Sequence, residues 1–418
     1  MFRSQSRRHV GMCARVAALS LALGVATPLL GQQSDSTAGR PDFTPSITFL
    51  GSLETNPERL PGETGRTKFF SASGELPFRV DSPRWTFTLT YRPEYQYNQD
   101  DDALTSFDHS GSFALRGKLS PRTDVEIEGD AYASNELRGL DANDIVVPRS
   151  RRVRGTVDGE LRQRLSTRDT LRFRGGYERL SFPDGDFIDS DTGYAGASYS
   201  HAVSARTSLS LGGNVRLATF DSGTRSRSMT TTVGGLFQLA ERTDFEVSGG
   251  ALWIQQDAGE GWLGVEQPGF TVRGRLRHRL ERVSLQLLGE RDLGTSSGLG
   301  QATLRDRIVG SVGWSDNRWG LVGLGGYSRN RGFSSGAVDG PTIQTLSACG
   351  RTAVRVSRAV AVVGVLAYAH QLGEIVQDTT DTFRVSLGVR LQANGLPLAL
   401  ASSTNDFSRI GRSARASC

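Results

Sequence analysis

Four arginines stand at alternate positions in one segment, Arg273, Arg275, Arg277 and Arg279, and a second set, Arg162, Arg164, Arg172 and Arg174, brackets Ser166. Alternation by two places side chains on one face of an extended strand. Each set is therefore a row of guanidinium groups, which are always charged and shaped to grip carboxylate or phosphate oxygens. The same spacing puts Glu126, Glu128 and Asp130 on one face, and Asp158 and Glu160 on another. Rows of opposite charge can pair across neighbouring strands, or they can line a wet passage and tune which ions enter it.

Other chemistries find little support. Beyond residue 31 the histidines are His109, His201, His278 and His370, and no serine, histidine and acid converge by local sequence. There is no nucleophile elbow, no metal-binding histidine pair and no phosphate loop. No catalytic residue, metal site or cofactor is assigned. Asp184, Asp186, Asp189 and Asp191 have a spacing close to that of a calcium loop but lack its closing glutamate and flanking helices. With Asp100, Asp101 and Asp102 they read as solvated surface. The chain carries 49 basic and 44 acidic residues, and four of the arginines fall in the first 31 positions, leaving 45 against 44. A nearly neutral remainder lacks the net field that non-specific binding to phosphate backbones needs, so no nucleic-acid partner is expected.

The elements that would position these rows are strands. Residues 1–31 have the basic start, apolar core (16–30) and small polar exit of a cleaved export signal, and the apolar core is too short to span a bilayer as a helix. Residues 32–45 read as a short polar linker. From 46 to 392 the apolar residues alternate by two: Leu171, Phe173, Gly175 and Tyr177 oppose Arg172, Arg174, Gly176 and Glu178, and Phe383, Val385, Leu387, Val389 and Leu391 oppose Arg384, Ser386 and Arg390. Short polar turns, most with an arginine, recur at roughly 35 to 46 residues, near 81–84, 120–123, 166–169, 204–207, 241–244, 281–282, 315–318 and 357–358. Longer connections lie between them, the longest at 134–152. Two cysteines, Cys349 and Cys418, lie beyond the signal, too few for a disulfide scaffold, with a bridge between them left open.

Short turns on one side and long loops on the other, joining strands with one apolar and one polar face, resemble the porin-like class of bacterial outer-membrane β-barrels. The resemblance covers residues 46–392 and lies in pattern. It implies an all-β fold, a closed antiparallel transmembrane barrel, with short periplasmic turns and longer outer loops. The alternation divides into 18 strands, with 16 left open. Closure follows from the need to pair every backbone N–H and C=O in lipid. Trp85, Trp314 and Trp319 beside the turns, and Tyr95, Tyr97, Trp253 and Tyr327 at the far strand ends, stand where aromatic girdles belong.

What the resemblance implies for function is an outer-membrane pore for passive diffusion of small hydrophilic solutes; the arginine rows then either form a basic ladder that favours anions or, with the acids, simply solvate a wet interior. The expected pore-lining residues are Arg162, Arg164, Arg172, Arg174, Arg273, Arg275, Arg277, Arg279, Glu126, Glu128 and Asp130. The expected partners are outer-membrane lipid and lipopolysaccharide, the barrel-assembly machinery and the solutes, with a homo-oligomer left open. A structural or adhesive barrel and a barrel hydrolase are the alternatives. The loop 134–152 is the candidate constriction. Residues 393–418 depart from the class, which typically finishes on a strand with a terminal aromatic; Pro397 makes this stretch a poor strand, and it reads as a periplasmic extension.

Overall fold

The computed structural model describes residues 42–60, 62, 64–134, 145–146, 150–185, 187–257, 265–295, 302–332, 342–373 and 379–393. The export signal, most of the linker and residues 394–418 lie outside them.

Strands alternating apolar and polar residues can bury neither face alone, and here they solve the problem by closing on themselves. The strands are β1 (Asp42–Phe43), β2 (Ser46–Thr55), β3 (Arg66–Asp81), β4 (Trp85–Asn98), β5 (Ser106–Ser120), β6 (Thr123–Ser134), β7 (Arg152–Arg164), β8 (Asp169–Ser181), β9 (Ser190–Ala202) and β10 (Thr207–Phe220). They continue as β11 (Arg225–Ala240), β12 (Thr243–Asp257), β13 (Val265–Arg279), β14 (Val283–Thr295), β15 (Ala302–Ser315), β16 (Trp319–Gly332), β17 (Thr342–Arg355), β18 (Val360–Gly373) and β19 (Thr379–Gln392). From β2 to β19 each pairs antiparallel with the next, and β19 pairs with β2, giving a closed barrel of 18 strands. The two-residue β1, inside the expected linker, pairs with Phe78 and Arg79 of β3.

Closure demands a close approach at the seam. Opposite Leu50, a Cβ on Gly388 would lie 1.7 Å from the Phe49 carbonyl oxygen, so only glycine fits there. The three strand prolines also follow the ladders, since proline cannot donate to a neighbour and is confined to breaks and open edges. Pro77 lies beyond the last β2–β3 pair, Pro93 in the gap of the β3–β4 ladder between Glu94 and Tyr91, and Pro268 on a stretch of β13 paired only with β12.

The turns are tight for a local reason. Ser120, Ser166, Ser204 and Ser357 accept with their hydroxyls the backbone N–H two residues on, from Arg122, Arg168, Arg206 and Ala359, and Asp316 does the same for Arg318 and Trp319. At the first of the aromatic positions, the Trp85 ring lies where a Cβ of its cross-strand partner Gly117 would be.

The outer face carries exposed Leu53, Phe70, Leu89, Phe173, Leu211, Val233, Leu287, Ile308 and Leu387 among many others. An apolar face of this extent is stable in lipid and not in water. The most deeply enclosed large side chains are instead polar, Gln96, Asn98, Thr303, Asn330 and Thr345 among them. The resemblance to porin-like barrels thus holds at the level of fold. Several strands run well toward the long loops: β13 begins at Val265, before Pro268, and β16 continues past Tyr327 to Gly332.

Candidate functional site

Register fixes which side chains share the lumen. Ser46, Ser52 and Glu54 on β2 oppose Glu75, Phe69 and Thr67 on β3, and the alternation carries through each ladder in turn. By that parity Arg162, Arg164, Arg172, Arg174, Arg273, Arg275, Arg277, Arg279, Glu126, Glu128 and Asp130 all lie on the inward face, opposite the exposed apolar residues of their own strands.

Many of these charges meet across adjacent strands. Arg116 donates to Glu126 at 2.5 Å, Arg162 and Arg174 share Glu160 at 3.0 and 2.7 Å, Arg164 lies 3.5 Å from Asp124, and Thr156 donates to Asp130 at 2.6 Å. Arg275 pairs with Glu246, and Arg273 lies 4.0 Å from Glu290. Arg172, Arg277 and Arg279 form no ion pair with any described residue.

Two further clusters lie on the same face and were not singled out in the sequence. In the first, Glu75 accepts from Arg92 at 2.8 Å and Arg390 at 3.1 Å, while Arg351 on β17 stands beside them with no carboxylate of its own. In the second, Arg305 grips Asp292 through two hydrogen bonds of 3.0 and 2.8 Å and reaches Glu290 at 3.2 Å, where Arg307 also pairs. Arg305 and Arg307 alternate by two and could have been found as a row. The Glu75 cluster joins β3, β4, β17 and β19, and no local spacing announces it.

The charges are not spread evenly along the barrel. Among the described lumenal arginines without an ion pair, Arg172, Arg277, Arg279 and Arg351 sit near the short-turn ends of β8, β13 and β17, while Arg216, bonded to the Leu293 carbonyl, lies toward the loop end of β10. Toward the long-loop ends several arginines are matched: Arg305 and Arg307 with Glu290 and Asp292, Arg154 with Glu178 at 2.7 Å, and Glu54 with Arg59 at 3.6 Å and Arg384 at 3.7 Å.

The loop after β6 enters this loop-end half. The Val146 N–H donates to the Gln371 side-chain oxygen at 2.6 Å, and the Gln371 amide returns a bond to the Val146 carbonyl at 3.0 Å. Ile145 is buried against Ile343 of β17, with Phe187 from the β8–β9 connection packed on the pair. Within the expected constriction, Ile145 and Val146 thus lie against the inner wall of β17 and β18, and 135–144 and 147–149 lie outside the described residues. Behind Val146 a cavity is walled by Leu324, Cys349, Ala367 and Ala369, with Arg59 and Arg384 at its edge. Cys349 is disulfide-bonded, and its partner lies outside the described residues.

The histidines face outward. His109 bonds Tyr91, His278 bonds Thr243, and His370 bonds Asp381. The structure does bring one serine, acid and histidine together, which local sequence did not indicate. Asp169 accepts from the Ser166 hydroxyl at 2.5 Å and from Tyr199, and it lies 2.8 Å from His201 Nδ1. The hydroxyl and the imidazole both address the carboxylate, so the imidazole does not touch the would-be nucleophile and the group caps a turn. In the aspartate-rich connection, Asp189 accepts from the Ser181 hydroxyl and the Phe182 N–H, and Asp191 from the Tyr177 hydroxyl; Asp186 lies outside the described residues. Among the described residues no three metal-ligating side chains are gathered.

No protein-family model matches the chain, and no curated protein matches it. Among solved structures it is similar to the outer membrane protein OpdK of Pseudomonas aeruginosa at 12% identity and a TM-score of 0.46, over 84% of this chain and 99% of that one. A BenF-like porin from Pseudomonas fluorescens Pf-5 is similar at 10% identity and a TM-score of 0.46, over 86% of this chain and 100% of the other. OccK9 (OpdG) of Pseudomonas aeruginosa is similar at 13% identity and a TM-score of 0.46, over 84% and 98%.

Proposed function

We propose that the barrel is an outer-membrane pore for the passive diffusion of small hydrophilic solutes, with a lumen that favours anions. The observation that carries the preference is the group of lumenal arginines without carboxylate partners near the turn ends of β8, β13 and β17: Arg172, Arg277, Arg279 and Arg351. Unpaired cations on a wet wall attract anions, whereas paired ones cancel at the distance of a passing solute. An 18-stranded barrel is too wide for side chains to fill, and the segment around Val146 narrows it. Arg162, Arg164, Arg174, Arg273 and Arg275, with Glu126, Glu128 and Asp130, line the same passage as matched charge that keeps it wet. The short turns face the periplasm and the long loops the exterior. Outer-leaflet lipid and lipopolysaccharide surround the apolar band, and the barrel-assembly machinery inserts it. Transport and not hydrolysis is the reading, because in the grouping at Ser166, Asp169 and His201 the imidazole is bonded to the carboxylate and not to the hydroxyl.

The test is single-channel recording of the refolded barrel in a planar bilayer under a salt gradient. Discrete steps with a reversal potential on the anion side are expected, moving toward zero when Arg172, Arg277 and Arg351 are changed together to Gln. A folded, heat-modifiable barrel that never conducts would leave a structural or adhesive role.

A further inference from the structure

The wall is not zipped along its whole height. The β12–β13 ladder continues to Gln256 and Val265, and the β14–β15 ladder to Thr295 and Ala302, but the β13–β14 ladder stops at Val272 and Arg291. Beyond that pair, 265–271 of β13 and 292–295 of β14 have no strand partner across the gap. Pro268 belongs to this open edge, where a missing N–H costs no ladder bond.

The far end of the β14–β15 hairpin has left the wall and leans into the lumen. The Leu293 carbonyl accepts a bond of 2.8 Å from Arg216 on β10, and Leu293, Ala302 and Leu304 pack with Leu252 and Ile254 on the inner face of β12. By alternation Leu293 and Leu304 belong to the outward face of their strands, so the face that would have met lipid is turned onto the inside of the wall. At the lower lip the Arg291 guanidinium lies 4.3 Å from the centre of the Phe270 ring and 3.5 Å from Asp306. Phe270 and Val272 are exposed on the outer face there, just below Trp253, which pairs with Pro268 and donates to Glu266 at 3.1 Å. The opening thus begins on the apolar band and rises through the level of an aromatic residue of the far girdle. Open sheet edges facing hydrocarbon are strongly disfavoured unless they line a cavity or passage.

Resting on the membrane-spanning reading above, we propose that the slot between β13 and β14 is a lateral mouth through which the apolar part of an amphiphilic molecule passes between the lumen and the outer leaflet. Its inner surface is graded for such a molecule. Leu252, Ile254, Leu293 and Leu304, buried and packed on one another, form an apolar cluster behind the slot, while Arg305, Arg307, Glu290 and Asp292 supply a charged wall on the lumen side of the same hairpin. A tail is accommodated by the first and a polar head by the second.

The experiment places a photoreactive benzophenone amino acid at Ile254, with Leu252 as a second position and the lumenal Ser71 of β3 as a control. The barrel is reconstituted in phosphatidylcholine vesicles, illuminated, and analysed by mass spectrometry for acyl-chain adducts. Adducts at 254 or 252, absent at 71, are expected. They should fall at least tenfold when a Gly269→Cys, Gly294→Cys pair is joined by a short bifunctional thiol reagent, since these positions would face one another if the ladder continued three residues past Val272 and Arg291. Conductance through the axis is recorded on the same preparations. Folded, conducting barrels with no adduct at either position, or with adducts unchanged by the cross-link, overturn the lateral mouth and leave the pore. Adducts in a barrel that never conducts support the mouth and overturn the axial pore.

Discussion

Two sets of lumenal arginines, one toward the loop end and one toward the turn end, are held in opposite ways. At the loop end, Arg305 and Glu290 are about nine-tenths buried, and the arginines there are held by carboxylates in a bonded network. At the turn end Arg172, Arg277, Arg279 and Arg351 stand beside other arginines, with no acid of a described residue within ion-pair distance. A guanidinium that has been matched and enclosed holds structure together, whereas one left unmatched on a wet wall presents its field to whatever passes. Arginine content alone therefore does not say what a charged lumen does; the location of the acids does.

The contrast predicts that equal changes in charge have unequal effects. Arg305→Gln leaves Glu290 and Asp292 enclosed with one cation fewer, and loss of one partner from a buried pair typically destabilises by about 3–5 kcal/mol. A clear drop in the unfolding temperature is expected in a heat-modifiability assay, and an unchanged temperature would break the comparison. Changing Arg172, Arg277 and Arg351 together to Gln removes three charges that hold nothing in place. The expected result is unfolding within a few degrees of the parent and a large loss of anion preference in the reversal potential.

Gln371→Leu sharpens the contrast at the constriction. It deletes both hydrogen bonds to Val146, worth about 1 kcal/mol each. The segment should leave β18 for a larger share of the time, read as a higher or noisier single-channel conductance with selectivity kept.

The smallest effect belongs to the turns. The Asp316 carboxyl is held below its usual range by the backbone N–H groups of Trp319 and Arg318. A carboxyl with a lowered pKa contributes stability that is full above its unfolded value and is lost as the pH falls through the folded one. Stability should accordingly dip in acid, and Asp316→Asn should remove that dip while costing little near neutrality. Thermal melts of the two proteins across acidic pH check this.

Much of the barrel was legible in the chain because it is written in local rules. Alternation by two set the faces of β8, β13 and β19, and the recurrent serine or aspartate followed two residues later by arginine set the turns, since that side chain caps the N–H it meets there. The inward placement of the rows at 162–174 and 273–279 follows from the same period. The ends of β13 and β16 were less legible, because Pro268 and the polar residues beyond Tyr327 read as loop until the ladder beside them is known.

The sequence by itself determined the strand period, the side of each strand that meets lipid and the inward face for the charged rows, because these depend on neighbours one or two residues apart. Only the tertiary structure decided which charges are matched, since Glu75 gathers Arg92 and Arg390 from other strands and leaves Arg351 out. It alone brought Val146 to Gln371, 225 residues later, and drew the β14–β15 hairpin off the wall. Such contacts depend on how a closed ring brings distant strands together, and no local spacing encodes them.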